Sequence, residues 1–375
     1  MKRFFFFFAA ALMAASCCSD RPEPSNPDYF HTAKNVKYVF TEAADLTMYG
    51  KIFFSIPNPY HRVDTVVYKG FTKGENLQVR ESSGLACCFK TNSSTISVKT
   101  QYGTPTYPSN TNGFSGRGYD LYIKDAEGEW LWAASGVQGD SKLDRNLVLI
   151  KDMEPVEHEC ILYFPLYSEV NSVKIGVEEG ASLEGIMPFR HRVVIFGSSY
   201  THGSSTSRAG MTYPAQFSRN TGIQLLSLGC SGNCKLQDYF CEALCHAEDV
   251  DAFIFDSFSN PSIEQINERL FPFIEKLQAA HPGKPLIFQR TIRRENGNFS
   301  GGKKYAETRR IEVADSLMAI ACKKYKDVYY IHPNATAKDH NATVDGVHPS
   351  NYGYTLWAGS IEKPVCRILK KYGIK

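Results

Sequence analysis

The sequence predicts two joined parts of different class: an all-β antiparallel sandwich over residues 41–185, then an α/β domain over residues 190–375 whose parallel sheet is covered on both faces. Three observations predict this. Turn residues cut the first half into short β-rich runs in which no helical period persists. The second half alternates buried apolar runs with helix-period patterns. The chain has 375 residues, 43% hydrophobic and 22% charged, enough for a core in each half.

In the first half the β-rich runs are residues 65–68, 86–89, 95–98, 146–150 and 173–177. Residues 119–123 and 129–132, joined through Ala126-Glu127-Gly128, read as a hairpin. Trp130 and Trp132 alternate onto one face of that hairpin. They either form a stacking platform for a sugar or fill a core, and their bulk favours the core.

In the second half, residues 192–196, 223–228, 252–255, 285–288 and 327–331 read as five buried strands. The clearest intervening helix starts at Ser262, which forms a capping-box pattern with Gln265. Ile263, Ile266, Leu270, Ile274 and Leu277 then recur at helical spacing until Pro282-Gly283 ends the run. In such a sheet, sites form at the carboxyl ends of the strands.

The chemistry-bearing residues fall at those ends. Val193-Val194-Ile195-Phe196-Gly197-Ser198-Ser199 is a strand running into a tight turn that presents the Ser199 hydroxyl, with Gly203 suited to admit a helix close to the sheet. A serine is a weak nucleophile unless a base takes its proton. Asp345-Gly346-Val347-His348-Pro349 supplies an imidazole and, across a glycine turn, a carboxylate able to orient it. Gly229-Cys230-Ser231-Gly232-Asn233 follows the second strand, and Asn260 follows the third. Arg290, Arg293 and Arg294 follow the fourth; Arg290 is a candidate to hold substrate at the rim, against a solvated loop as the alternative. His202, beside the nucleophile, reads as helix entry and not as a base.

These blocks resemble, in order, those of the SGNH (GDSL-type) hydrolases. Gly118-Tyr119-Asp120-Leu121-Tyr122 resembles the GxDLY signature of a β-rich domain that precedes such esterase domains in exported bacterial proteins. The resemblance implies a flavodoxin-like α/β/α domain without metal or organic cofactor. It implies Ser199, Asp345 and His348 as catalytic residues, and an oxyanion hole built from Ser199, Gly232 and Asn260. Two positions depart from the family pattern: Ser198 stands where an aspartate is usual, and Phe258-Ser259-Asn260-Pro261 keeps only the asparagine of its block.

At the N-terminus, Lys2-Arg3 and the apolar run 4–15 have the composition of a signal peptide and are too short to span a bilayer. Leu12-Met13-Ala14-Ala15-Ser16-Cys17 resembles a lipoprotein signal, with Ala14 where leucine is usual, so residues 1–17 are expected to be the signal and Cys17 the lipidated residue. Plain secretion is the alternative. Residues 18–40 form a tether and lead-in. The chain is therefore expected to be exported and held on a bacterial membrane by its lipid anchor alone. A net charge of +3 with no Lys/Arg block excludes a nucleic-acid surface. Adjacent Cys17-Cys18 and Cys87-Cys88 are poor disulfide positions. Cys230, Cys234, Cys241 and Cys245 read as buried thiols more readily than as a zinc site.

A serine esterase that deacylates carbohydrate is the function these features favour, with an acylated carbohydrate as the partner. A lipase or lysophospholipase, acyl transfer to a second sugar, and a non-catalytic glycan-binding lipoprotein are the rivals.

Overall fold

The computed structural model describes residues 36–138 and 145–375. The expected signal and its Cys17 lie outside the described residues, as does the tether up to residue 35. The first half contains β1 (Tyr38–Glu42), β2 (Thr47–Tyr49), α1 (Lys73–Arg80), β3 (Ala86–Thr91), β4 (Ile96–Pro105) and α2 (Gly113–Arg117). It continues through β5 (Gly118–Lys124), β6 (Trp130–Val137), β7 (Leu147–Ile150), β8 (His158–Tyr163), β9 (Ser168–Glu178) and β10 (Leu183–Gly185). These strands form two antiparallel sheets. One has the order β1-β9-β4-β7; the other has the order β10-β3-β8-β5-β6, with β2 also on β3.

The second half contains β11 (Arg190–Gly197), α3 (Ser199–His202), α4 (Tyr213–Thr221), β12 (Ile223–Gly229), α5 (Asp238–Cys245) and β13 (Ala252–Asp256). It ends with α6 (Ile263–Ala280), β14 (Leu286–Gln289), α7 (Gly301–Lys324), β15 (Val328–Ile331) and α8 (Asn351–Lys370). Its sheet is parallel in the order β12-β11-β13-β14-β15, so β11 lies inside the sheet and its neighbours carry the chain away on either side. Side chains alternate across β11. Val193 and Ile195 pack with α4 and α8 residues such as Phe217 and Trp357, while Val194 and Phe196 pack with α5, α6 and α7 residues such as Phe240, Ile274 and Met318. The α6 capping box between Ser262 and Gln265 is present as expected.

Two expectations for the first half need correction. Residues 65–68 are not a strand. The N–H groups of Val66 and Val67 both donate to Asp64 Oδ1, at 2.7 and 3.3 Å, which closes a local turn and leaves both valines exposed. Helix α1 also breaks the all-β reading. Thr72 and Glu75 cap it reciprocally, a four-residue signal that apolar periodicity does not reveal. Within this region Ile52, Phe53, Val63 and Val79 leave the sandwich and join the core beneath Val194, Phe196 and Leu228. The stretch between β2 and β3 is thus shared: these four residues pack on the α/β half, while Tyr60 and Leu85 stay in the sandwich core.

The GxDLY strand shows how the halves are joined. Tyr119 and Leu121 point into the sandwich core. Asp120 and Tyr122 point the other way, toward the α/β half. Asp120 is fully buried; it accepts from Arg208 Nη1 at 3.0 Å and from the Gly210 N–H at 2.8 Å. Tyr122 lies under the Arg219 guanidinium, 3.9 Å from its ring centroid. The same alternation sends Cys87 into the sandwich core and Cys88 into the inter-half cluster, and both are free thiols. Trp130 is partly buried and stacks on Phe189, but Trp132 is 52% exposed beneath Arg208, so the core reading fails for Trp132.

Asp120→Ala leaves the Gly210 amide without its acceptor and the Arg208 guanidinium without its carboxylate, with Tyr122 OH as its remaining partner. It is expected to cost about 3 kcal/mol in urea unfolding. A loss below about 1 kcal/mol would show that this contact does not lock the two halves.

Candidate active site

The turn carrying Ser199 is fixed by the Ser198 hydroxyl and by the carboxylate of Asp256. Ser198 is the N-cap of α3, its hydroxyl accepting from the Tyr200 N–H at 3.2 Å. The same hydroxyl donates to Asp256 Oδ2 at 2.7 Å; the Ser198 N–H at 3.1 Å and Thr201 Oγ1 at 3.1 Å reach that oxygen as well. Asp256 ends the neighbouring strand β13. The carboxylate usual in the nucleophile turn is therefore replaced here by one reaching across from the next strand. Gly229 is where α3 approaches the sheet, because a Cβ there would meet the His202 amide nitrogen at 2.2 Å; Gly203, expected to play that part, is the left-handed C-cap of α3 (φ +99°).

Ser199 is nearly buried, and its Oγ lies 2.9 Å from His348 Nε2. His348 Nδ1 lies 2.7 Å from Asp345 Oδ2. With Nδ1–H given to the carboxylate, Nε2 is free to accept the serine proton. Asp345 Oδ1 accepts the backbone N–H groups of Val347 and His348 at 2.9 and 2.7 Å. Partial burial works to raise the Asp345 pKa, but these amides, the imidazole and the Asn110 side chain together hold it well below the usual carboxylate range. It is an anion at any pH where His348 acts. One turn thus lets Asp345 bond its local amides and orient the imidazole together.

Three donors near Ser199 Oγ have no acceptor among the described residues. They are the Ser199 N–H, which opens α3, the Gly232 N–H, and Asn260 Nδ2, whose Oδ1 is fixed by the Cys234 N–H at 3.3 Å. Ser199, Gly232, Asn260 and His348 line one pocket of about 550 Å³. The sequence-derived set of five is thereby brought together from four separate segments of chain.

Arg290 is not among the residues lining that pocket. Its guanidinium grips Asp315 of α7 through two nitrogens, at 2.9 and 2.8 Å, and Tyr330 donates to the same carboxylate. It braces β14 against α7, and the rim expectation for it is corrected. Arg294 lines the pocket instead, held by Tyr200 OH at 3.0 Å and Ser259 O at 2.8 Å. His202 is fully buried, stacked on Tyr167 with centroids 4.1 Å apart and bonded to Leu166 O at 2.7 Å. Burial lowers its pKa, against the raising effect of the buried Glu81 carboxylate 3.2 Å from Nε2.

Sequence reading missed the wall that the first half contributes. Leu77, Gln78 and Glu81 at α1, Thr106 and Asn110 after β4, and Tyr167 all line the pocket. Arg62 anchors this wall. Its buried guanidinium donates to Glu81 O at 2.9 Å and Gly229 O at 2.7 Å, tying the end of α1 to the end of β12. Asp256 was also missed, although an acid closing the apolar run of β13 is a readable sign of a strand-end carboxylate.

Burial raises the Asp256 pKa from the usual 3.8 to about 6, against the lowering effect of the Ser198 and Thr201 bonds. Between those values the folded chain holds a proton that the unfolded chain has lost. The contribution of Asp256 to stability is therefore complete below about pH 4 and declines as pH rises to about 6. Relative to wild type, Asp256→Asn is expected to gain up to about 3 kcal/mol across that window, read by urea unfolding at each pH. An offset that stays constant with pH would mean that Asp256 titrates normally.

Comparison with known proteins follows this geometry. The GDSL-like Lipase/Acylhydrolase family matches residues 190–366, and the family described as the N-terminus of Esterase_SGNH_hydro-type (GxDLY) matches residues 36–183. A crystal structure from Bacteroides ovatus ATCC 8483, classed as a GDSL-like lipase, is 35% identical with TM-score 0.84, covering 89% of this chain and 98% of its own. The salicylyl-acyltransferase SsfX3 of a tetracycline biosynthetic pathway shares the fold at 16% identity and TM-score 0.66, covering 92% and 100%. A family two carbohydrate esterase from Cellvibrio japonicus does so at 13% and 0.59, covering 90% and 99%. A search of curated proteins gives no match. The chain belongs to the SGNH/GDSL-type hydrolases acting on ester bonds, with a GxDLY-type β-rich region preceding the hydrolase half.

Proposed function

We propose that this hydrolase is a serine esterase that removes short acyl groups, acetyl foremost, from carbohydrate. The observation that carries the reading is the continuous chain Ser199–His348–Asp345 opening into a pocket with three unengaged N–H donors. Ser199 Oγ attacks the ester carbonyl while His348 Nε2 takes its proton. The oxyanion is met by the Ser199 and Gly232 N–H groups and by Asn260 Nδ2. His348 returns the proton to the departing alcohol, leaving an acyl-enzyme. The same imidazole then activates water, which releases the acid and restores Ser199.

The surroundings support a neutral sugar over a lipid. The pocket wall carries Gln78, Thr106, Asn110, Ser204 and Ser231 beside one acid, Glu81, and one base, Arg294, with Leu77, Pro108, Val347 and the Tyr167 ring as its apolar members. A second groove of about 630 Å³ adjoins it and shares Asn110. Serine, threonine and asparagine side chains dominate its lining, no charged residue is among them, and the exposed Tyr352 offers an apolar ring face. Hydroxyls and amides that can both donate and accept suit sugar hydroxyls. The carbohydrate esterase of Cellvibrio japonicus supports the reading only as a chain of the same fold.

The reading extends to location: the chain is exported and lipid-anchored through Cys17. Among the described residues no helix is long and apolar enough to cross a membrane. Several acyl chains on one cysteine would hold the protein firmly.

Acid release from 4-nitrophenyl acetate, longer 4-nitrophenyl esters and acetylated xylan tests the function. Ser199→Ala should lower kcat about 10⁴-fold, and Asn260→Ala about 100-fold. Xylan deacetylation with a preference for acetyl is the expected result. Preference for long acyl chains would point to a lipase. Release only with an added sugar acceptor would point to acyl transfer, and an inert wild type would point to a glycan-binding protein. For location, Cys17→Ser should move the expressed protein from the membrane fraction to the soluble fraction; an unchanged distribution would remove the anchor.

A further inference from the structure

We propose that Asn110, a residue of the sandwich half, is a positioning residue for the Asp345–His348 pair, so that the reactive centre is completed across the interface of the two halves. The inference rests on the serine-esterase reading above. Asp345 is the member of the pair most open to solvent, its side chain keeping 35% of its surface against 18% for His348. Three of the four donors on its carboxylate come from its own turn: the Val347 and His348 amides on Oδ1 and the imidazole on Oδ2. The fourth is Asn110 Nδ2, 3.1 Å from Oδ2. Among the described residues it is the one donor to this carboxylate from outside residues 345–348.

The amide is oriented by its neighbours. Nδ2 also lies 3.0 Å from His348 Nδ1. A ring nitrogen that already gives its proton to Asp345 cannot accept a second one, so the carboxylate is the true acceptor. Thr111 Oγ1 faces Asn110 Oδ1 at 3.5 Å, which sets the two ends of the amide apart. The loop carrying Asn110 is held on both sides. Thr106 N–H donates to Tyr167 O at 2.9 Å and Thr106 Oγ1 to Glu81 Oε1 at 2.6 Å, while Asn112 caps α2 through the Ser115 N–H at 2.9 Å. Asn110 therefore meets the carboxylate from a fixed frame.

Two consequences follow for catalysis. With Oδ2 shared between imidazole and amide, the carboxylate is held where it orients the ring toward Ser199. The amide hydrogens, partly positive, also face the side of the ring that becomes positive when His348 takes the serine proton, and they compete for the charge of Asp345.

The test compares wild type, Asn110→Ala, Asn110→Asp and Ser199→Ala on 4-nitrophenyl acetate from pH 5 to 9, with thermal melting of each. For Asn110→Ala, kcat should fall about tenfold, the loss of one hydrogen bond to a charged group. KM should stay within about twofold of wild type, with melting preserved. Asn110→Asp, nearly isosteric, sets a second carboxylate against Asp345 and should fall at least as far. Wild-type kcat in both variants would overturn the proposal. So would a loss of kcat in both that only follows the loss of folded protein. If Ser199→Ala keeps full activity, the esterase reading itself fails. If Ser199→Ala is inactive and both Asn110 variants behave as wild type, only the role of Asn110 is lost.

Discussion

The second sheet of the sandwich is covered on both faces along its central strands β3, β5 and β8, and the site depends on that constraint. One side of β3, β5 and β8 closes the sandwich core through Cys87, Phe89, Leu121 and Leu162. The other side, through Cys88, Tyr122, Ile161 and Tyr163, packs against Ala209 and Ala215 of the hydrolase half. Polar groups buried at this seam are paired. Asp120 meets Arg208 and the Gly210 amide, Arg219 meets Tyr163 OH and Gly210 O, and Tyr49 OH meets Ser218 Oγ. An apolar seam with satisfied polar anchors fixes one relative placement of the halves, because sliding would leave those groups unpaired in a dry interior.

That placement is what builds the pocket. Helix α1, the loop after β4 and the turn holding Tyr167 belong to the first half in sequence, yet they stand over the carboxyl ends of β11 and β12. Tyr167 stacks on His202 and reaches Ser231 at 2.7 Å, while Arg62 ties the end of α1 to Gly229. The hydrolase half supplies Ser199 and His348 to this pocket and the sandwich half much of the wall around them. A preceding β domain would otherwise read as an accessory module; here it forms part of the pocket wall.

The nucleophile turn illustrates how a departure from a family pattern is absorbed. Ser198 cannot provide a carboxylate, but its hydroxyl both caps α3 and donates to Asp256 on the adjacent strand. Burying that carboxylate without a cation is costly, which its raised pKa reflects. Three donors on one oxygen offset part of the cost and hold the turn in the form that exposes Ser199.

Much was legible in the sequence where chemistry and local pattern coincide. The five parallel strands were readable from buried apolar runs, the α6 cap from Ser262 and Gln265, and Ser199, Gly232, Asn260, Asp345 and His348 from short motifs at strand ends. Residues 65–68 misled because β-branched residues suit a strand, whereas the hydrogen bonds of Asp64 impose a turn that composition does not express. Arg290 misled because its partner Asp315 lies on a later helix, and Trp132 because bulk alone does not say which face of a hairpin is covered. Local periodicity and motif spacing determined which elements form and which residues carry chemistry, since both depend on neighbours a few positions away. Only the tertiary structure decided that Asp256 stands behind the turn carrying Ser199 and that Asn110 touches the Asp345–His348 pair, because those contacts span 58 and 235 residues: the first exists only once β13 pairs with β11, the second only once the two halves have packed.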